Sequence, residues 1–179
     1  MGQWKVIPDH HLYFATTTIV EWQNVFTSIP YFEILIESLK YCVSHKGLHL
    51  HGYVIMPNHG HYLCSSDEEK NLSDIMRDFN AHTSRTIIAL LKEEHKSALL
   101  GVFRNAAETD ERGNDYKVWQ DGFHPIAVET EHFVTQKLMY LHDNPVRKGY
   151  VDQPEHWRYS SARNYLLGDN SIMEVEQVY

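Results

Sequence analysis

The alternation of strand-like and helix-like periodicities along this chain predicts an α+β sandwich built on an antiparallel sheet. Three observations carry the prediction. Short runs rich in β-branched and aromatic residues are interleaved with longer stretches whose apolar residues recur every three or four positions. Their order reads strand, helix, strand, strand, helix, strand, helix. The two central strands are separated only by Pro57-Asn58, which suits a hairpin and hence antiparallel pairing.

The first strand is "HLYFATTTIV" at 11–20, by its β-branched and aromatic content. A helix follows over 30–47. Pro30 suits its first turn, Phe32, Leu35, Leu39 and Val43 recur at helical spacing, and Gly47 is a stop. "LHLHGYVIMP" and "HGHYLCSS" form the hairpin. The next helix, 71–94, is the clearest, with Leu72, Ile75, Met76, Phe79, Thr83, Ile87 and Leu90 on one stripe. The polar stretch 104–115 predicts a loop, and "YKVWQDGFHPIAVE" contains a further strand. From Thr130 as N-cap, "EHFVTQKLMYLHDN" forms a helix that Pro145 ends. A short helix near 160–167 follows. This order closes naturally as a ferredoxin-like (RRM-like) sandwich, with helices on one face of the sheet and the late helix extra to that core.

Composition sets the outer limits. The chain has 179 residues, 42% of them hydrophobic, which predicts one domain over 1–179 with a core of its own. No apolar run is long enough to span a membrane, and "MGQWKVIPDHH" lacks the apolar core of a leader, so a cytoplasmic location is expected. Cys42 and Cys64, far apart and in apolar contexts, are expected as reduced, buried thiols. A net charge of −8 argues against a general nucleic-acid binder. The charge is uneven, however. Between residues 137 and 163, five basic residues (Lys137, Arg147, Lys148, Arg158, Arg163) face three acidic ones (Asp143, Asp152, Glu155), which leaves room for a local basic surface.

Chemistry enters at "YVIMPNHGHYLC" (53–64). On a strand, residues i and i+2 share a face, so His59 and His61 present two imidazoles side by side, and Gly60 keeps the opposite face small. Two imidazoles can chelate one metal ion without completing its shell. A bare His-x-His pair reads first as polar residues on a half-exposed strand. The chain holds 13 histidines and a second such pair, His49 and His51, and spacing alone does not choose between the pairs. In the late helix Tyr140 and Asn144 lie four residues apart and share a face. Asn144 offers a hard oxygen donor that suits magnesium or manganese. Tyr140 offers a phenolic nucleophile, which at an ordinary pKa near ~10 needs help to lose its proton. Taken alone, Tyr140 reads as one tyrosine among 11 packed on a helix.

"YVIMPNHGHYLC", "VWQDGFH", "KLMYLHDNPVRKGYV" and "WRYSSARNY", in that order, resemble the REP-associated tyrosine transposases. These belong to the single-tyrosine HUH family, related to the transposases of small insertion sequences. The likeness runs from about Tyr13 to Tyr165, and the first and third motifs together are specific. It implies that His59 and His61 are the HUH metal pair, that Tyr140 is the nucleophile carried on the extra C-terminal helix, and that Asn144 is the third metal-binding side chain. It also implies a Mg²⁺- or Mn²⁺-dependent strand transferase. Such an enzyme acts on single-stranded DNA beside hairpins, through a 5′-phosphotyrosyl link and without a nucleotide cofactor. Relatives include homodimers and monomers, which leaves the oligomeric state open.

In the same reading Trp119 can stack on an unpaired base, with Gln120 beside it as a DNA contact. A core position suits Trp119 equally. Arg147 and Lys148 are placed for phosphates or for a solvated helix end. His124 reads as a phosphate contact or a bystander, and His142 faces away from Tyr140. "WRYSSARNY" packs the C-terminal segment, with Arg158 and Arg163 as further candidates for DNA. The acidic balance departs from the basic character of DNA-handling relatives, and predicts weak or localised binding to a structured target. Two other readings stand beside strand transfer: a domesticated hairpin-binding module without chemistry, and a metal-dependent phosphodiesterase in which water attacks.

Overall fold

The computed structural model describes residues 11–108, 110 and 113–178. Strand β1 (Tyr13–Thr18) leads through a tight turn into helix α1 (Ile29–His45). The hairpin β2 (Leu48–Met56) and β3 (His59–Ser66) follows, then helices α2 (Leu72–Glu93) and α3 (Ser97–Glu108). A two-residue strand β4 (Ile126–Ala127), helix α4 (Glu131–Arg147) and a short helix α5 (Ala162–Leu167) complete the chain. The four strands are antiparallel in the spatial order β2–β3–β1–β4, the ferredoxin-like arrangement.

Period-two alternation sends successive strand residues to opposite faces, and each face has its own core. Ala15, Tyr53, Ile55, Tyr62 and Cys64 pack with Leu35 and Leu39 of α1 and with Ile75, Met76 and Phe79 of α2. Phe14, Val54, Met56 and Leu63 pack on the other face against Val134, Leu138 and Leu141 of α4. The extra helix thus covers the face that α1 and α2 leave bare. Gly52 allows its close approach, since a Cβ there would lie 2.8 Å from Leu138 Cδ1. Gly60 matters for the same reason on the opposite face, where a Cβ would overlap the Tyr62 ring.

The outer edge of β2 is also occupied. Ile55 N–H donates to the Tyr159 carbonyl, Ser161 N–H to Tyr53, and Glu176 N–H to Leu50, each at 2.9 Å. Trp157 Nε1 donates to the Ile55 carbonyl at 2.9 Å. "WRYSSARNY" therefore packs the C-terminal segment along the sheet, as its sequence suggests. His142 faces away from Tyr140 into this seam, 2.8 Å from the Ser161 hydroxyl. Among the described residues no helix is long and apolar enough to cross a membrane. Cys42 and Cys64 are buried and unbridged.

Three elements differ from the sequence reading. Residues 104–108, expected in a loop, close helix α3, whose Leu99, Leu100, Phe103, Ala106 and Ala107 recur at helical spacing onto α2. The rest of that predicted loop includes 109, 111 and 112, which lie outside the described residues, as do residues 1–10, where a leader was sought. The strand expected within 116–129 shrinks to Ile126–Ala127 and a single bridge between Trp119 and Ile19. Pro145 does not end α4, which runs on to Arg147. A proline in the last turn forgoes only one backbone bond, and Lys148 N–H still reaches the Asn144 carbonyl at 3.1 Å.

Candidate functional site

His59 and His61 leave β3 on the α4 side of the sheet, because they share the parity of Leu63. Both are buried, with ring centroids 4.8 Å apart. Each ring is tied down through Nδ1. His61 Nδ1 lies 2.8 Å from the hydroxyl of Thr16, its register partner on β1, and His59 Nδ1 lies 2.7 Å from Asn58 Oδ1. An amide oxygen only accepts, so His59 carries its proton on Nδ1, and a proton on His61 Nδ1 satisfies Thr16 in the same way. Both Nε2 lone pairs then point free of any hydrogen-bond partner among the described residues. Burial holds His59 well below the usual histidine range, at about 4, with Lys148 adding to the effect. It holds His61 at about 3, with His59 and Lys137 adding to it. Two neutral imidazoles with bare Nε2 atoms and anchored Nδ1 atoms are what a metal ion requires of histidine.

The other histidine pair is built differently. His49 has Glu176 on one ring nitrogen and Asp67 on the other, each at 2.8 Å. His51 has the Glu176 carbonyl and the Ser65 hydroxyl at 2.9 and 3.0 Å. Each ring meets Glu176 of the C-terminal segment through Nδ1 and a residue at the end of β3 or just beyond it through Nε2, so neither has a nitrogen to spare.

Helix α4 brings Tyr140 over the pair. Its ring centroid lies 5.4 Å from His61 and 6.0 Å from Phe14, and the residue is 39% exposed. Cations surround it: Arg147 at 5.2 Å from the ring centroid and Lys137 at 6.0 Å. Because α4 continues past Pro145, Arg147 stays on the Tyr140 face two turns along. Asn144, one turn from Tyr140, is buried, yet its side chain makes no hydrogen bond among the described residues. Its amide atoms are not among the fully buried unpartnered ones of the described residues, so they keep access to solvent and remain free to act as donors or ligands. The described residues hold no group of three or more His, Cys, Asp or Glu able to bind a metal. Asn144 carries a neutral oxygen donor on the same helix as Tyr140. The residue set fits a hard divalent ion.

The structure thus brings His59, His61 and Tyr140 together, with Asn144, Arg147 and Lys148 on the same helix end. Trp119 is not with them. It is 6% exposed, stacks on Phe26 at 6.0 Å and donates from Nε1 to Thr83 Oγ1 at 3.1 Å. This corrects the base-stacking role, since a buried ring stacked on Phe26 and hydrogen-bonded inside offers no surface to DNA. Gln120 is exposed at the end of β1, where its backbone N–H donates to Thr18 (2.8 Å) and its side-chain amide to Ile19 (3.1 Å). Arg163 is consumed by Asp169 and the Glu155 carbonyl, while Arg158 lies exposed over Tyr159. His124 is exposed on the loop before β4.

From the sequence Lys137 counts only among the basic residues of 137–163 and has no assigned place at the site, although it stands three residues before Tyr140, the spacing that puts two helical residues on one face. Its ammonium lies 4.8 Å from the Phe14 ring and 5.0 Å from Phe133.

The family described as "Transposase IS200 like" matches residues 10–144. No curated protein matches the sequence. The fold is similar to that of a REP-associated tyrosine transposase bound to a REP hairpin, with a TM-score of 0.62 and 16% identity over 100% of this chain and 94% of the other. It is also similar to a candidate transposase from Deinococcus radiodurans R1, with a TM-score of 0.50 and 14% identity over 80% of this chain and 97% of the other. At such identities the two structures speak for the fold.

Proposed function

The chain belongs to the IS200-like transposase family, an enzyme family of DNA transposition, and from that premise we propose that it cleaves and rejoins single-stranded DNA beside hairpins through Tyr140. The observation that carries this reading is the tyrosine ring 5.4 Å from a histidine whose neighbour lies 4.8 Å away, both imidazoles buried. His59, His61 and Asn144 are the residues that would hold a Mg²⁺ or Mn²⁺ ion. Bound there, such an ion supplies Lewis-acid polarisation of a phosphate oxygen.

The protein's own groups do the rest. Thr16 and Asn58 fix the imidazoles with Nε2 outward, so no reorganisation is needed when DNA arrives. Tyr140 Oη forms a bond to phosphorus as the bond from phosphorus to O3′ breaks. The phenol proton passes to solvent, and the departing O3′ takes one up. The products are a 5′-phosphotyrosyl link and a free 3′-hydroxyl, and attack by another 3′-hydroxyl reverses the step. The bond energy stays in the protein–DNA link, so no nucleotide cofactor is consumed. Lys137, Arg147 and Lys148 neutralise phosphates on either side of the tyrosine, and Gln120 contacts the strand at the end of β1. In a chain of net charge −8 this local cluster confines DNA binding to the site. Residues 1–179 act as one domain in this reading.

The test is covalent trapping. Labelled single-stranded hairpins drawn from DNA flanking the gene are incubated with protein and Mn²⁺, then run on a denaturing gel. The expected result is an adduct that Tyr140→Phe and His59→Ala both abolish. Cleavage that survives Tyr140→Phe without an adduct would move the reading to water-dependent hydrolysis. Retarded DNA without cleavage would leave a binding module.

A further inference from the structure

The turn after β1 carries a conformational oddity. Glu21 (φ 52°) and Trp22 (φ 54°) both stand in the left-handed region, although neither is glycine. A bulky side chain there is strained, and such strain persists only where the surroundings hold it. The surroundings are visible. Trp22 N–H donates to the Ile19 carbonyl at 3.0 Å, and Ile19 N–H to the Asn58 carbonyl at 2.9 Å. The Asn58 side chain closes the bridge, with Nδ2 donating to the Trp22 carbonyl at 3.2 Å while Oδ1 accepts from His59. One amide therefore locks both the imidazole and the turn that displays the tryptophan.

What is displayed is an indole that is 58% exposed, among the most exposed large apolar residues of the described chain. Its ring meets His59 edge to face, with centroids 5.8 Å apart and 72° between planes. Trp22 touches His59, whereas Tyr140 touches His61. The two aromatic rings thus stand at opposite ends of the histidine pair. Lys148, whose charge reaches His59, puts a cation near the imidazole that Trp22 contacts. An open aromatic face beside a cation at a phosphate-handling site has the make-up of a single-strand stacking platform.

We infer that Trp22 stacks on an unpaired nucleobase flanking the scissile phosphate. The inference rests on the strand-transfer reading above and adds to it a base-binding subsite. In-line displacement places the leaving oxygen opposite the attacking one. With Tyr140 attacking from the His61 end, Trp22 stands at the leaving end, so its base belongs to the nucleotide on the 5′ side of the cut.

The experiment uses the full chain, the hairpin oligonucleotide that the unsubstituted protein cleaves in Mn²⁺, and two copies of it made abasic at the nucleotide 5′ or 3′ of the cut. Affinity and adduct yield are measured for the unsubstituted protein, Trp22→Ala and Trp22→Phe, with a thermal melt of each as a folding control. The expected result is a 5- to 150-fold loss of affinity, roughly the range of one base stack, for the unsubstituted protein on the 5′-abasic oligonucleotide alone. Trp22→Ala shows the same loss on intact DNA and no further loss on the 5′-abasic strand, while Trp22→Phe keeps most of the affinity. Equal binding of all three oligonucleotides by Trp22→Ala and the unsubstituted protein, with adducts still forming, would overturn the subsite and leave strand transfer standing. A 3′-abasic penalty that depends on Trp22 would overturn the assignment of side. Absence of adduct and binding with every hairpin would overturn both readings.

Discussion

Replacing Gly60 by alanine tests the local packing that sets the two imidazoles side by side. A Cβ at this position would overlap the Tyr62 hydroxyl and lie 2.7 Å from Tyr62 Cζ, closer than real contacts allow. Tyr62 has nowhere to go. It is fully buried, sits edge-on to Phe79 at 6.0 Å, and its hydroxyl is 3.2 Å from that of Thr17. Overpacking a core of this kind costs about 1–3 kcal/mol. Loss of the Thr17 hydrogen bond adds about 0.5–1.5 kcal/mol. For a domain of this size each kcal/mol lowers the melting temperature by about 2–4 °C, so Gly60→Ala should melt roughly 5–15 °C early. The assay is calorimetry, with urea titration as a second probe. Gly60→Ala/Tyr62→Phe removes the first clashing atom but not Cζ, so it should recover about half of the loss, and the two substitutions should couple in a double-mutant cycle. A Gly60→Ala melt within about 2 °C of the unsubstituted protein, or a double variant no better than the single one, would refute this account of the glycine.

Three further outcomes are expected. Thr16→Val keeps the shape but removes the hydroxyl 2.8 Å from His61 Nδ1; Mn²⁺ affinity by calorimetry should fall about 10- to 100-fold, and unchanged affinity would sever Thr16 from the metal assignment. DNA binding should weaken with salt at a log–log slope of about −2, from three cations (Lys137, Arg147, Lys148) at about −0.7 each on a single strand; a slope near −6 would mean that contacts extend well beyond the site. His59, His61 and His142 titrate at about 4, 3 and 4 when folded, all lowered by burial, against 6.5 for the free group. Between pH 6.5 and about 4 the unfolded chain therefore binds protons that the folded chain does not. Stability should fall on acidification through that window, by up to about 1.4 kcal/mol per pH unit for each group. His49, raised by its bonds to Glu176 and Asp67, acts in the opposite sense but is one group against three. A melting temperature that holds or rises from pH 7 to 5 would contradict neutral burial of the three histidines.

Much of the fold was legible because periodicity is a local property. Leu72, Ile75, Met76, Phe79, Thr83 and Ile87 are buried as the stripe predicts, and only at the end of α2 does the buried line pass to Ile88 and Leu91 in place of Leu90. Helix α3 was hidden by polar residues at its end, which mark a solvated face as readily as a loop. The extent of α4 turned on whether a late proline stops a helix, which depends on how few bonds remain to lose. For the site, the strand parity of His59 and His61 was readable, and so was the shared face of Tyr140 and Asn144. The choice between two histidine pairs was not readable from spacing, because it rests on which ring nitrogens are already occupied by residues as distant as Glu176. Trp119 and Trp22 show the same limit. Both are single tryptophans in mixed surroundings, and only the tertiary fold encloses one and exposes the other.

The C-terminal segment that lies along β2 reaches beyond its packing role. Left bare, Leu50, Tyr53 and Ile55 would offer a row of unpaired backbone groups on an apolar strand, the kind of template on which chains add to one another and aggregate. Residues 157–176 fill that row from within the same molecule. The match to the family ends at 144, before any of this covering begins, so a chain trimmed to the matched boundary would keep Tyr140 and both histidines while exposing a sticky edge. The edge covering and the histidine–tyrosine cluster are thus encoded in different parts of the sequence. A second copy joining by sheet extension is also barred from the β2 side of the described fold, which leaves only the short β4 edge for that mode of assembly.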